Sequence, residues 1–221
     1  MQITAAKIYQ SIETIRDKAP VVHNITNYVV MNNTANALLA LGASPVMAHA
    51  REEVEEMVNI ASALVINIGT LSESWIYSMF KAVGQARKNG IPIIIDPVGA
   101  GATTFRTKTA RDLISSDPPT IIRGNASEIM ALYDDRSKTK GVDSAATSDS
   151  AIVTAQKLSE IHKCVVCISG ATDYIIEGGR IIKVMNGHPL MTRVTGLGCT
   201  ASALCGAFAA VNKSVLAATV K

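Results

Sequence analysis

Short apolar runs rich in Val and Ile alternate along this chain with longer amphipathic stretches, and few folds accommodate that rhythm. Ala63–Ile68, Ile91–Ile95, Thr120–Ile122 and Cys164–Ile168 read as buried strands, because they are brief, uncharged and rich in Val and Ile. Ser72–Asn89, Thr103–Ser115, Asn125–Tyr133 and Ser148–His162 read as helices between them. Strand and helix in alternation give a parallel sheet with helices on its faces. Near the end, Tyr174–Ile176 and Arg180–Lys183 flank Gly178-Gly179, a two-residue hairpin signal, so the late sheet is expected to turn antiparallel. The polar stretch Asp134–Thr147 reads as an exposed loop. No repeat or Pro/Ser-rich linker divides the chain, and residues 1–221 are read as a single domain.

Composition narrows the function. Hydrophobic residues make up 48% of the chain and aromatics only 4%, which describes an aliphatic interior with few rings for stacking bases. The net charge of +3 is too slight for a nucleic-acid binder. Ala19–Ala50 and Val194–Asn212 carry no charge, yet the first holds Asn24, Asn27, Asn32, Asn33 and Asn36 and the second is broken by Gly196, Gly198 and Gly206. Five amides in hydrocarbon are very costly, so both segments read as buried or site-facing protein and no membrane partner is expected. Four cysteines and no charged-then-apolar leader over Met1–Ala19 fit a reduced, cytoplasmic compartment. Cys164 and Cys167 have metal-site spacing, but three residues apart in a strand they point to opposite faces and read as core.

In an open α/β sheet, ligands bind beyond the carboxyl ends of the strands. There the chain offers Gly69-Thr70, Asp96-Pro97-Val98-Gly99, Arg123-Gly124-Asn125-Ala126-Ser127-Glu128 and Ser169-Gly170. Arg123 beside a helix-opening Asn and Glu supplies a guanidinium for phosphate and a carboxylate for Mg²⁺. The same spacing is that of a capping box with Asn125 as N-cap and Glu128 at the third helical position. Asp96 before Pro97 is either a metal- or phosphate-site carboxylate or the end of a strand at a turn.

Gly196-Leu197-Gly198-Cys199-Thr200-Ala201 opens an Ala-rich helix. Its glycines let an anion reach the free N–H groups of the first turn, where the helix dipole is positive. It also spells a dinucleotide fingerprint, but that requires an acidic residue downstream, and none follows Glu177. At a helix start the Cys199 thiol is expected to have a lowered pKa, as a base or nucleophile; a small buried cysteine is the plainer reading. The Arg180, Lys183, Arg193, Lys213 and Lys221 set suits either a phosphorylated ligand or a solvated basic surface.

Taken in order, His23-Asn24-Ile25-Thr26-Asn27, Thr34–Met47, Asn67-Ile68-Gly69-Thr70, Asp96-Pro97-Val98-Gly99, Arg123–Glu128 and Val194-Thr195-Gly196-Leu197-Gly198-Cys199 closely resemble the hydroxyethylthiazole kinases. The resemblance covers essentially the whole chain and implies a ribokinase-like fold, three α/β/α layers around a mostly parallel sheet. It implies transfer of the γ-phosphoryl group of ATP, with Mg²⁺, to the alcohol of 4-methyl-5-(2-hydroxyethyl)thiazole in thiamine synthesis and salvage. It places Asn27, Met47 and Gly196 on the thiazole, Arg123 and Ser169 on ATP, and Asp96 and Glu128 near Mg²⁺ and phosphates; the Gly198 turn is the anion hole read above from the residues themselves. It also implies a homotrimer with sites between subunits. Cys199 stands where many ribokinase-like kinases carry the Asp that takes the hydroxyl proton, and Ser169 where Thr is more usual. The family usually continues past Gly198–Val211 through further helices and a Gly-Pro-Gly-Ser-Phe segment, which these 221 residues lack. The alternatives are a related kinase for another small alcohol, such as the hydroxymethylpyrimidine, or a relative that binds without turnover.

Overall fold

The computed structural model describes residues 4–133 and 151–220. In chain order they form α1 (Ala5–Lys18), β1 (Val21–Ile25), α2 (Met31–Leu41), β2 (Ser44–Val46), α3 (Val54–Ile60), β3 (Ala63–Asn67), α4 (Glu73–Asn89), β4 (Ile93–Asp96), α5 (Thr104–Ser116), β5 (Ile121–Asn125) and α6 (Ala126–Leu132). There follow α7 (Ile152–His162), β6 (Val165–Ser169), β7 (Asp173–Glu177), β8 (Arg180–Val184), a 3₁₀ turn at Pro189–Arg193, α8 (Leu197–Val211) and α9 (Val215–Val220). The expected loop Asp134–Thr147 and the start of the Ser148–His162 helix lie outside the described residues.

One sheet runs in the order β2-β1-β3-β4-β5-β6-β7-β8. All neighbours from β2 to β6 pair in parallel, and β7 and β8 pair antiparallel, as the Gly178-Gly179 signal predicts. Side-chain alternation divides the strands between two cores. Leu64, Ile66, Ile95, Ile122 and Val166 face α3 to α7, whereas Val22, Val65, Ile94, Ile121 and Val165 face α8 and the flanking α1, α2 and α9. Burying side chains such as Ile66 or Ile94 completely contributes roughly 1.5–3 kcal/mol each. Cys164 lies in the first core and Cys167 in the second, so the two thiols are separated by the sheet as their spacing requires.

The element bounds depart from the sequence reading in a consistent direction. Ser72, Thr103 and Asn125 are N-caps, each side chain accepting an N–H from the first turn, and are not themselves helical. β5 extends from Ile121 through Arg123 to Asn125 because pairing with β6 carries the ladder past the apolar run. The uncharged segment Ala19–Ala50, read only as buried or site-facing, supplies both β1 and β2.

The order around β1 positions the site. β1 pairs with β2 on one side and β3 on the other. The chain leaving β1 enters α2, on the face that α8 covers, while the chain leaving β3 enters α4 on the opposite face. The two loops part and leave a crevice beyond the strand ends, the usual ligand position in such sheets.

Candidate active site

At that crevice the strand ends present a run of polar side chains: Asn27 after β1, Asn67 ending β3, Asp96 ending β4, Asn125 ending β5 and Ser169 ending β6. Three of them form a buried hydrogen-bonded chain. Asn27 Nδ2 donates to Asn67 Oδ1 at 2.9 Å, and Asn67 Nδ2 donates to Asp96 Oδ2 at 2.9 Å. Ser202, on α8, donates to the same Asp96 oxygen at 2.7 Å. Asn27 is only 4% exposed and its Oδ1 accepts from the Val29 N–H, so its side chain serves the protein's own network.

Burial pushes the Asp96 carboxyl up to about 6, against the opposing pull of the Arg123 charge and the Ser202 hydrogen bond. Glu128 raises it further, and the Asn67 donor lowers it. Among the described residues, Asp96 Oδ1 accepts no hydrogen bond.

Glu128 is engaged at both carboxylate oxygens. It completes a capping box: its Oε2 accepts the Asn125 N–H at 2.8 Å and Asn125 Oδ1 accepts the Glu128 N–H at 2.9 Å. Its Oε1 accepts the N–H of Gly99 at 2.8 Å, which binds the loop after β4 to the start of α6 and keeps the carboxylate close enough to Asp96 to raise that group's pKa.

The start of α8 closes the site. Gly196 sits at φ +83°, and a Cβ there would come within 2.4 Å of Val30 Cγ1, so only glycine fits. No side chain caps this helix, and its first-turn N–H groups open the positive dipole end to an anion. Arg123 donates from Nη1 to the Gly198 carbonyl oxygen at 2.9 Å, bringing the guanidinium beside that turn. Ser169 lies opposite Asn125 in the β5–β6 register, its hydroxyl donating to the Gly124 carbonyl oxygen at 3.3 Å. Met47 follows β2, partly exposed. Near it the His49 ring packs on Trp75 at 4.3 Å between centroids, and Trp75 on Tyr28 at 4.8 Å.

Cys199 lies in the first turn of α8 and accepts from Asn27 Nδ2 at 3.5 Å. The expectation of a lowered thiol pKa is corrected. Burial pushes it up, the negative charge of Asp96 adds to that, and donors from Asn67 and Asn27 and the Arg123 charge only partly offset it. The basic tail region also reads more plainly in three dimensions: Arg180 pairs with Glu177 across an exposed hairpin and Lys183 lies over the Tyr174 ring.

Three functional side chains escaped the sequence reading. Asn67 was visible only as part of the Asn67-Ile68-Gly69-Thr70 block, and Ser202 lies inside an Ala-rich helix with nothing to mark it. Arg106 donates from Nη1 to the carbonyls of Ile68 and Val98 and from Nη2 to that of Gly69, tying together the loops after β3 and β4. A cation in the first turn of α5 opposes the helix dipole, and that mismatch was the available signal.

The residues fit a phosphate-borne Mg²⁺. A buried carboxylate with an unengaged oxygen, Asp96, stands near a second, Glu128, as suits a cation that keeps its waters and shares its shell with phosphates. Among the described residues no group of three or more His, Cys, Asp or Glu forms a closed metal cage. Nor is any described helix long and apolar enough to cross a membrane.

Comparison with known proteins identifies the family and the fold. The sequence pattern of the hydroxyethylthiazole kinase family matches residues 12–221. A hydroxyethylthiazole kinase of Syntrophus aciditrophicus (strain SB) is 62% identical over 215 residues, covering 97% of this chain and 80% of the relative. The solved structure of a hydroxyethylthiazole kinase protein from Pyrococcus horikoshii OT3 superposes with a TM-score of 0.88 at 46% identity, over 97% of this chain and 81% of that one. An ADP complex of Bacillus subtilis pyridoxal kinase, at 17% identity, shares the fold with a TM-score of 0.67 over 90% of this chain and 87% of that one.

Proposed function

The chain belongs to the hydroxyethylthiazole kinase family, and from that premise we propose that its crevice transfers the γ-phosphoryl group of ATP to the hydroxyl of 4-methyl-5-(2-hydroxyethyl)thiazole, a step of thiamine salvage. The observation that carries the site assignment is the convergence of Arg123, Asp96 and the open first turn of α8 at one end of the sheet. Phosphoryl transfer asks little covalent help of a protein; it needs in-line positioning and neutralised charge.

The N–H groups of the α8 first turn, with Gly198 among them, receive the phosphates. Arg123 adds a fixed positive charge, and Ser169 contacts the nucleotide. Asp96 and Glu128 would hold Mg²⁺, which would supply neutralising charge to the phosphates. Asn27, Met47 and Gly196 border the thiazole, and Cys199, in the phosphate turn and beside Asn27, faces the acceptor hydroxyl. Its raised pKa makes it a modest acceptor of that proton, so positioning and charge neutralisation carry most of the rate. The assembly is a homotrimer with its sites between subunits. That reading is supported by exposed apolar side chains in the segment between β1 and α2, Tyr28 and Val29, and in the segment before α8, Leu190, Met191 and Val194.

The deciding experiment follows ADP release with Mg-ATP and either the thiazole alcohol or the hydroxymethylpyrimidine. Turnover of the thiazole alcohol is expected, and turnover of the pyrimidine alone would overturn the assignment.

A further inference from the structure

We infer that Asn67 is a positioning residue that holds the acceptor side and the phosphoryl side of the crevice in one register, its amide oxygen fixing Asn27 and its amide nitrogen fixing Asp96. This rests on the reading of the site given above.

Its orientation has a single solution. Oδ1 accepts from Asn27 Nδ2 at 2.9 Å and from the Gly69 N–H at 3.0 Å, while Nδ2 donates to Asp96 Oδ2 at 2.9 Å. Rotating the amide by half a turn would set an NH₂ against two N–H donors and an oxygen against a carboxylate, losing three bonds at a buried position. Asn67 is 1% exposed, so no water replaces them.

A plain turn-forming role explains only part of this. The bond from the Gly69 N–H is the common turn that an Asn or Asp makes at a strand end, and it uses Oδ1 alone. An Asp there would serve that turn equally well but would present a carboxylate to Asp96. The buried donor directed at Asp96 is therefore an additional feature. On the other side, Asn67 fixes the Asn27 nitrogen that also donates to Cys199 Sγ. The close approach of Asn27 to this turn leaves no room for a side chain at residue 69, where a Cβ would lie 2.7 Å from Asn27 Nδ2. Asn67 thus stands at the β1–β3 parting of the sheet with one hand on each half of the reaction.

The test compares Asn67→Ala, Asn67→Asp and Ser202→Ala by steady-state kinetics with Mg-ATP and the thiazole alcohol, beside thermal unfolding. Asn67→Ala loses both contacts and is expected to raise KM for the alcohol about tenfold and lower kcat about 10²-fold, the size that a misplaced reacting group commonly costs. Asn67→Asp keeps the acceptor for Asn27 and removes the donor to Asp96, so kcat falls while KM for the alcohol stays at the wild-type value. Ser202→Ala, which removes the other donor to Asp96, behaves like Asn67→Asp. The split between KM and kcat is something general loosening of the fold would not produce. Wild-type kcat and KM in folded Asn67→Ala, or identical changes in Asn67→Ala and Asn67→Asp, would overturn the inference. If the Ala variant does not fold, a wild-type kcat in Asn67→Asp overturns it equally. Absence of thiazole turnover in the wild-type protein would instead refute the functional reading on which the inference rests.

Discussion

Arg123 donates from Nη1 to the Gly198 carbonyl oxygen at 2.9 Å, tying the end of β5 to the first turn of α8. Among the described residues this is the one hydrogen bond its side chain makes, so most of the guanidinium's donors remain for an anion at that turn. Replacing Arg123 by Ala removes both the tie and the charge, and kcat should fall about 10²–10³-fold, as when a fixed donor to developing charge is lost. Lys should restore only part of the rate, because an ammonium cannot hold the carbonyl and a phosphate in the same planar fork. ADP release by the two variants measures this, and undiminished turnover in Arg123→Ala would remove Arg123 from the phosphate site.

How far the sequence disclosed this arrangement depends on the kind of signal. β3, β4 and β6 were legible because strands buried on both faces are continuous apolar runs, and so was the hairpin at Gly178-Gly179. β1 and β2 were hidden: His23 and Asn24 interrupt the apolar character of β1, and Ser44–Val46 is too brief to show a period. In the site, residues ending a legible strand, such as Asp96, Arg123 and Ser169, were found by position. Asn67 and Ser202 matter through partners 29 and 106 residues away, a relationship no local spacing expresses. The Cys199 thiol shows the limit from another side, since a dipole argument reads only the helix while burial and Asp96 come from the fold.

The pH dependence of folding should carry an imprint of His23. Its Nε2 lies 2.7 Å from the Ala48 carbonyl oxygen and must donate there, leaving Nδ1 buried without a partner. Burial lowers the pKa of the ring, although that backbone contact and Glu53 pull it up. The unfolded chain therefore binds a proton near pH 6.5 that the folded chain still refuses. Stability present above that pH is lost as pH falls through it, by at most about 1.4 kcal/mol per pH unit from this group. Urea unfolding at a series of pH values should show a weaker acid loss in His23→Gln than in wild type; parallel profiles would show that the ring titrates alike in both states.

Cys199 offers a prediction of modest size. Its thiol is held up by burial and by Asp96, and the reaction needs positioning more than a strong base. Cys199→Ala should therefore lower kcat by about 10²-fold, the small end of what general-base groups supply. The sulfur lies on the acceptor side, where it accepts from Asn27 Nδ2, so KM for ATP should be unchanged. A fall of many further decades would mean that proton removal dominates the barrier.

Gly196 separates two causes of strain in one place. Ala at this position would occupy a left-handed backbone at φ +83° and press its Cβ to 2.4 Å from Val30 Cγ1. Left-handed conformation in a non-glycine residue costs about 1–3 kcal/mol, and the contact with Val30 adds to it. Val30 precedes α2, so relief of the clash would shift α2 relative to α8 and disturb the turn that receives phosphate. Gly196→Ala should lower the unfolding midpoint and raise KM for ATP. Adding Val30→Ala should recover part of the KM change, because the clash is gone, and little of the stability, because the backbone strain persists and a buried valine has been truncated. Full recovery of both would assign the whole effect to the contact and none to the backbone.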